Sequence, residues 1–509
     1  MDMLQQVPVP FSGPEVGWFA LSPLLVLAGA AMLLLLVGAL TPRWPNGLEA
    51  FVTAASAGAA GALAIVLWDD IADRGPSTLV GGALAFDTFA MFMTIVICAS
   101  VLLVSLVTDD YLRRESLEGP EVYALYLLTA TGGIVMSAAN DLIVLFIGLE
   151  TLSLSLYVLA ASHRRRAGSA EAGIKYFVLG GFSSAFFLYG IALVYGATGS
   201  TNLSEIVAAF DAGVPLQRND ALVLAGVAML VVGLGFKVAA APFHVWTPDV
   251  YQGAPSPVSA FMASAGKVAA FAALLRVFVV ALPYYRDDWR PVMWVLAVLS
   301  LVVGSFLAVV QTDVKRMLAY SSISHAGFLL VGVEAAGHTA GSADAGLGVP
   351  STLVYLFAYA VMVIGSFAVV TLVARTGDGA TSLDAFRGLG RRRPALALAL
   401  TVFLVAQAGV PFTSGFIAKF AVIRAAVDER SYALAIIAMI ASVVAAFLYL
   451  RIMVSAWITD APDDDELEPV RVPFSSGVAI AVCVAFTLAV GILPGWLLDA
   501  ADATVAFAR

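Results

Sequence analysis

Long apolar runs alternate with short polar breaks along the whole chain, and about fourteen runs can be counted. The first three cover about 21–40, 48–68 and 84–107, and five more lie at about 121–139, 141–161, 171–196, 221–250 and 257–282. The last six cover about 291–310, 314–334, 351–374, 395–427, 431–457 and 474–498. Roughly twenty apolar residues let a helix cross the hydrocarbon core of a bilayer. The pattern therefore predicts an all-α polytopic membrane protein with about 14 transmembrane helices. The longest connections, such as Gly199–Asp220 and Arg375–Arg393, are too short for a separate soluble domain.

Two of the runs are over-long and interrupted. The stretch from Gly233 to Pro255 carries Lys237 inside its apolar part and Pro242 five residues later. Proline has no amide N–H, so the helix should break there; the bland alternative is a kink with a lysine reaching to the surface. The second interrupted run has Pro411-Phe412 where the first has Pro242-Phe243, 169 residues apart. Spans four to eight begin near Glu121 and spans nine to thirteen near Pro291, an offset of about 170. Five is an odd number of crossings, so successive copies are inverted. Paired broken helices in inverted repeats point to a transporter. The expected units are 1–120 (helices 1–3), 121–290 (first five-helix repeat), 291–460 (second, inverted repeat) and 461–509 (an acidic loop and the last helix).

Composition fits this architecture. Of 509 residues, 61% are hydrophobic and 12% charged, about half the charged share of a soluble domain. Loop Lys and Arg set topology. With the N-terminus outside, inward loops hold 14 of the 27 basic residues and outward segments 6, so both termini are expected on the outer side of a bacterial plasma membrane. Cys98 and Cys483 lie too far apart to ligate zinc or an iron–sulfur cluster. With no GxGxxG, no P-loop and a net charge of −9, no nucleotide cofactor, metal or nucleic-acid partner is expected. The acidic run Asp460–Glu468 reads as a solvated loop.

The chemistry lies in charges inside the spans. Only five lysines stand against 22 arginines, yet Lys237, Lys267 and Lys419 are within spans and Lys175 is near the start of one. A buried lysine can shed its proton, whereas arginine keeps it. Each membrane lysine costs roughly 3 kcal/mol on the lenient insertion scale. Three, with the carboxylate Glu150 about nine residues into its span, cost on the order of 10 kcal/mol, comparable with a folding free energy. Glu150 shares a helix face with Ser153 and Tyr157. It is the simplest partner for Lys237, either as a switchable pair or as a static bridge. Lys267 lies on a small-residue face of Ala260, Ala263, Ser264 and Ala270. An offset of 170 puts Tyr320 in the place of Glu150. His325 and His244 stand on the same path, as relays or as packed hydrogen-bonding residues.

At these residues the chain resembles the antiporter-like subunits of proton-pumping NADH:quinone oxidoreductase, respiratory complex I. The shared motif is Phe236-Lys237, Pro242-Phe243-His244, Trp246, Pro248-Asp249 and Pro255, then Lys267 and Arg276. It is supported by Asn140-Asp141 with Glu150, Glu171–Tyr176, Asp313–His325 and Gly409–Lys419. Within the family, Asp249–Pro255 looks most like subunit N. The resemblance implies a half-channel in each repeat and proton transfer along Glu150, Lys237, Lys267 and Lys419, with Lys175, His244 and His325 as further candidates. It also implies FMN, iron–sulfur clusters and quinone in partner subunits, and neighbouring antiporter-like subunits in the bilayer. A subunit of a multisubunit Mrp-type cation/proton antiporter is the alternative, and a membrane scaffold with vestigial charges a third reading.

Overall fold

The computed structural model describes residues 16–41, 44–211, 220–342, 346–460 and 470–508. The acidic run from residue 461 onward and Arg43, Arg218 and Arg509 of the charge count lie outside these. The first spans are α1 (Ser22–Leu40), α2 (Leu48–Arg74), α3 (Thr88–Glu115), α4 (Pro120–Ala138), α5 (Leu142–Ala160) and α6 (Ala167–Thr198). A short amphipathic α7 (Leu203–Asp211) follows, then α8 (Asp220–Val238), α9 (Trp246–Gly253) and α10 (Ser256–Ala281). Next come α11 (Arg286–Val309), α12 (Val314–Thr339), α13 (Gly348–Val373), α14 (Pro394–Ala408), α15 (Ser414–Asp428) and α16 (Tyr432–Trp457). The chain closes with α17 (Phe474–Ile492) and α18 (Gly495–Asp502). Each of the fourteen apolar runs has become a helix or a broken pair. Twelve of the described helices are long and apolar enough to cross a membrane. The other two crossings are α12, 26 residues long but rich in polar groups, and the broken pair α14–α15.

The edges of the reading shift for local reasons. The run from 84 does not start as a helix. Residues Ser77–Leu79 and Leu84–Phe86 form an antiparallel hairpin, and Asp87 then caps α3 by accepting from the Ala90 N–H at 2.9 Å. The Gly199–Asp220 connection contains α7, which turns Leu203, Ile206 and Phe210 inward.

The inverted repeat is written in matched backbone contacts. Asp141 caps α5 and accepts from Thr201 Oγ1 at 2.7 Å, while the Leu142 N–H donates to the Thr201 carbonyl at 2.8 Å. Asp313 caps α12 and accepts from Thr381 Oγ1 at 2.5 Å, while the Val314 N–H donates to the Thr381 carbonyl at 2.8 Å. These two clamps begin spans five and ten, so five crossings put them on opposite membrane faces. The close helix crossings match as well. A Cβ on Gly132 would come within 2.6 Å of the Gly148 carbonyl oxygen, and one on Gly304 within 2.4 Å of the Ser324 N. Lipid offers no hydrophobic drive for helix association, so such small-residue contacts carry the packing. Both matches fix the offset in this part of the fold at 172 rather than 170. Glu150 therefore corresponds to Ser322, not to Tyr320, and Ser153 to His325.

Every residue of α10 is buried, and α13 is nearly so. These two form the axis of the molecule, while α1 turns Met32, Leu33 and Leu36 outward.

Candidate proton-transfer axis

Both predicted breaks are present. α8 ends at Val238, Ala239 takes φ +60, and the chain passes Pro242 before α9. The freed Phe236 carbonyl accepts from Trp246 Nε1 at 3.0 Å, and the Ala241 N–H donates to Ser300 Oγ at 2.9 Å. The second break uses its freed carbonyl differently. α14 stops at Ala408, and the Ala408 carbonyl accepts directly from Lys419 Nζ at 3.0 Å. The C-terminal end of a helix carries partial negative charge, so a half-helix ending in mid-membrane is a seat for an ammonium. Ser442 Oγ accepts a second hydrogen bond from Lys419 Nζ at 2.8 Å, and the Phe328 ring lies 4.7 Å from Nζ.

Lys237 sits in the last turn of α8. Its amine donates to Ser153 Oγ at 2.6 Å and the Tyr157 hydroxyl at 3.4 Å, with the Tyr157 and Tyr176 rings within 5.6 Å. Glu150 lies one turn before Ser153 and is in no ion pair among the described residues; its Oε1 is buried without a hydrogen-bond partner. Ser153, expected on the face of Glu150, thus stands in the contact position that the simplest reading gave to the carboxylate.

Lys267 follows a π-helical turn, Met262–Gly266, a local widening often found at functional positions. Its amine donates to the Ser322 carbonyl at 2.6 Å and to Ser322 Oγ at 2.7 Å. A lysine of the first repeat is thus held by the residue that occupies Glu150's place in the second. Lys237 and Lys267 line one small cavity with Tyr176, Tyr251, Trp246 and Gly266. Beyond Lys267 the Tyr359 ring lies 5.4 Å away, and the His325 ring is 4.7 Å from that. His325 Nδ1 and Nε2 meet the Tyr355 and Tyr449 hydroxyls at 2.7 and 3.2 Å. Tyr449 continues to Ser321 at 2.6 Å, Ser321 to Gln407 at 3.3 Å, and Gln407 precedes Ala408, the acceptor of Lys419.

The sequence profile of the family described as NADH:quinone oxidoreductase/Mrp antiporter, TM, matches residues 139–445, which include Glu150 and the three lysines. A protein of Streptomyces griseus subsp. griseus named NADH-quinone oxidoreductase subunit N 3 is 42% identical, over 98% of this chain and 96% of its own. The Rhodococcus opacus protein named NADH-quinone oxidoreductase subunit N is 40% identical, over 100% of this chain and 99% of its own. The chain belongs to the antiporter-like subunits of NADH:quinone oxidoreductase. Both relatives carry the name subunit N, the branch to which Asp249–Pro255 pointed. A chain of the structure titled respiratory complex I from Thermus thermophilus with bound Aureothin matches at TM-score 0.77 and 34% identity, over 95% of this chain and 100% of that one. A chain of the Mrp complex from Dietzia sp. DQ12-45-1b matches at TM-score 0.78 but 20% identity, which shows a shared fold alone.

In this antiporter-like chain the remaining candidates lie off the line. Lys175, with a 40% exposed side chain, pairs with Asp249 and Glu171, each at 2.7 Å, and Arg316 joins Asp249 at 2.6 Å. His244 is half-buried beside the exposed Pro242. A second buried centre escaped sequence reasoning. The loop residue Asp378 accepts from Arg166 at 3.0 Å, from the Ser256 N–H and Oγ at 3.1 and 2.9 Å, from Tyr111 at 3.3 Å and from Lys315 at 3.4 Å. Burial pushes its carboxyl up, but Lys315 and Arg166, with the Ser256 bonds, hold it net below the usual carboxylate range. Asp378 lies outside any apolar run, so no periodicity marked it.

Proposed function

We propose that this chain is a membrane-arm subunit of NADH:quinone oxidoreductase that moves protons across the bacterial plasma membrane along Glu150, Lys237, Lys267 and Lys419. The observation that carries the reading is the state of the three lysines. Each amine is buried among hydroxyls and backbone carbonyls, and none is in an ion pair among the described residues. A fixed counter-ion would hold an ammonium permanently, whereas neutral acceptors leave it free to discharge when its surroundings change.

Residues 121–290 and 291–460 act as two half-channels joined at Lys267–Ser322 and His325, and both termini lie on the outer side. Glu150 acts on Lys237 through Ser153 rather than by contact. Its negative charge favours the ammonium, and neutralising it sends the proton on towards Lys267. FMN, iron–sulfur clusters and quinone sit in partner subunits whose redox reaction drives the transfer. The test is proton translocation in vesicles of the assembled complex carrying Glu150→Gln or Lys237→Ala, with electron transfer assayed in parallel. Both variants should lower the protons moved per electron. A normal ratio in both would reduce these residues to structural groups.

A further inference from the structure

Nine residues beyond His325 on α12 stands a second intramembrane carboxylate, Glu334, whose side chain is 4% exposed. Its Oε1 accepts from Ser431 Oγ at 3.0 Å and meets His338 Nε2 at 3.1 Å. Its Oε2 is buried and has no partner. The neighbours fix the imidazole. Arg290 can only donate, and its Nη1 lies 3.1 Å from His338 Nδ1. Nδ1 is therefore the bare nitrogen, Nε2 carries the hydrogen, and that hydrogen is given to Glu334 Oε1. One carboxylate oxygen is occupied twice and the other is left free to take a proton.

The cluster lies on the way out from Lys419. α12 and α15 run side by side in the same direction: Lys419 sits over Phe328, Gly332 faces Val422, and His338 Nδ1 lies 3.8 Å from Glu429 Oε2. Phe328 to His338 and Lys419 to Glu429 are each ten residues, about 15 Å along a helix. That is about half of a 30 Å hydrocarbon core, the distance from mid-membrane to the surface. Glu334 stands between the two levels. His338, 23% exposed, marks the edge of solvent. The other charged residues of α15, Arg424 and Asp428, pair with each other on the exposed side.

We propose that Glu334 is the proton-release group of the second half-channel, with His338 and Ser431 as its positioning residues; this rests on the axis and orientation proposed above. An N–H bond of the Lys419 ammonium breaks and an O–H bond forms at Glu334 Oε2, through intervening water. That O–H then breaks, giving its proton to outer-side water. Arg290 and Glu429 are the charged groups that face the pair of Glu334 and His338, both against His338 Nδ1. Ser431 and His338 keep Oε1 engaged throughout, so the transfers fall on Oε2.

Glu334→Gln keeps an acceptor for Ser431 and His338 but cannot carry the proton. In the reconstituted whole complex it should assemble at normal flavin content, and its protons per electron should fall to the level of Lys419→Ala. Glu334→Asp should recover part of the ratio, and the dependence of pumping on outer pH should be lost in Glu334→Gln. A wild-type ratio in Glu334→Gln beside a lowered one in Lys419→Ala overturns the proposal and leaves the axis standing. Wild-type ratios in both overturn the axis and this proposal with it. Should Glu334→Gln fail to assemble, a membrane-impermeant carbodiimide applied to the wild-type complex from the outer side decides. An adduct on Glu334 with proportionate loss of pumping supports the role, and an adduct without loss refutes it.

Discussion

Arg276 belongs to the motif on which the family resemblance was read, yet its surroundings describe a fastener rather than a carrier. Its guanidinium makes a bidentate pair with Asp87 at 2.7 and 2.6 Å, with side chains 1% and 0% exposed, and its Nε donates to the Ser137 carbonyl at 3.0 Å. Asp87 also accepts from the N–H groups of Ala90 and Ala508, so the pair ties α3, α10 and the chain's last residues together. Arginine does not release its proton in a protein, so it cannot pass one on. Arg276→Met removes three charge-assisted bonds and leaves Asp87 buried with two backbone donors. Breaking one side of a buried pair costs about 3–5 kcal/mol, which is a factor of more than about 100 in the unfolding constant. Thermal unfolding of the purified protein reads the loss, and amide exchange at Ala508 reads the release of the C-terminal segment. Asp87→Asn combined with Arg276→Met should recover part of it, because no charge then stays unpaired. A cost below about 1 kcal/mol for Arg276→Met, or unchanged exchange at Ala508, refutes the fastener.

Other outcomes follow from the same contacts. Asp378 holds its charge below the usual range, so its contribution is complete above about pH 4 and should fade as pH drops through its depressed folded-state value. Asp378→Asn should remove that acid dependence and, leaving Arg166 and Lys315 uncompensated, cost about 3–5 kcal/mol at neutral pH; an unchanged acid-unfolding curve would contradict this. Gly132→Val puts a side chain where a bare Cβ already meets the Gly148 carbonyl at 2.6 Å. Overpacking at such a site costs about 1–3 kcal/mol, so less assembled protein is expected in membranes, and normal assembly would show that α5 can move aside.

How far the sequence could be read depended on what kind of signal each feature leaves. The spans were legible because lipid demands one length and one polarity, and the breaks because proline leaves a mark. Lys237, Lys267 and Lys419 stood out because a costly group inside an apolar run has few bland explanations. The repeat was visible through Pro242 and Pro411, but those sit in breaks of slightly different length, so their spacing gave an offset wrong by about three residues for α5 and α12. The better register was available in Asn140-Asp141 with Thr201-Asn202-Leu203 and Thr312-Asp313 with Thr381-Ser382-Leu383. Asp378 depends on a loop meeting helix ends in space, which no periodicity encodes; Glu334 stands at the end of the run 314–334, and what the sequence does not show is its contact with His338 and Ser431. The π-helical turn before Lys267 leaves no composition signal at all.

The corrected register bears on why two inverted copies do not yield two equal sites. The copies share clamps, glycine crossings and broken helices, but not their polar side chains. Glu150 corresponds to Ser322, and Ser153 to His325. In the first repeat the lysine is held by Ser153 near an unpaired carboxylate. In the second, the serine that replaces the carboxylate captures the lysine of its neighbour instead. A strictly symmetric pair would place two equivalent sites back to back, with no preferred direction between them. Under the proposed function, replacing one carboxylate by serine would join the two sites in series: a carboxylate near the first lysine, neutral acceptors at the next two, and Glu334 beyond the last. The inverted backbone repeat would then open the two halves to opposite faces, and the side-chain asymmetry between the copies would set the order in which a proton meets them.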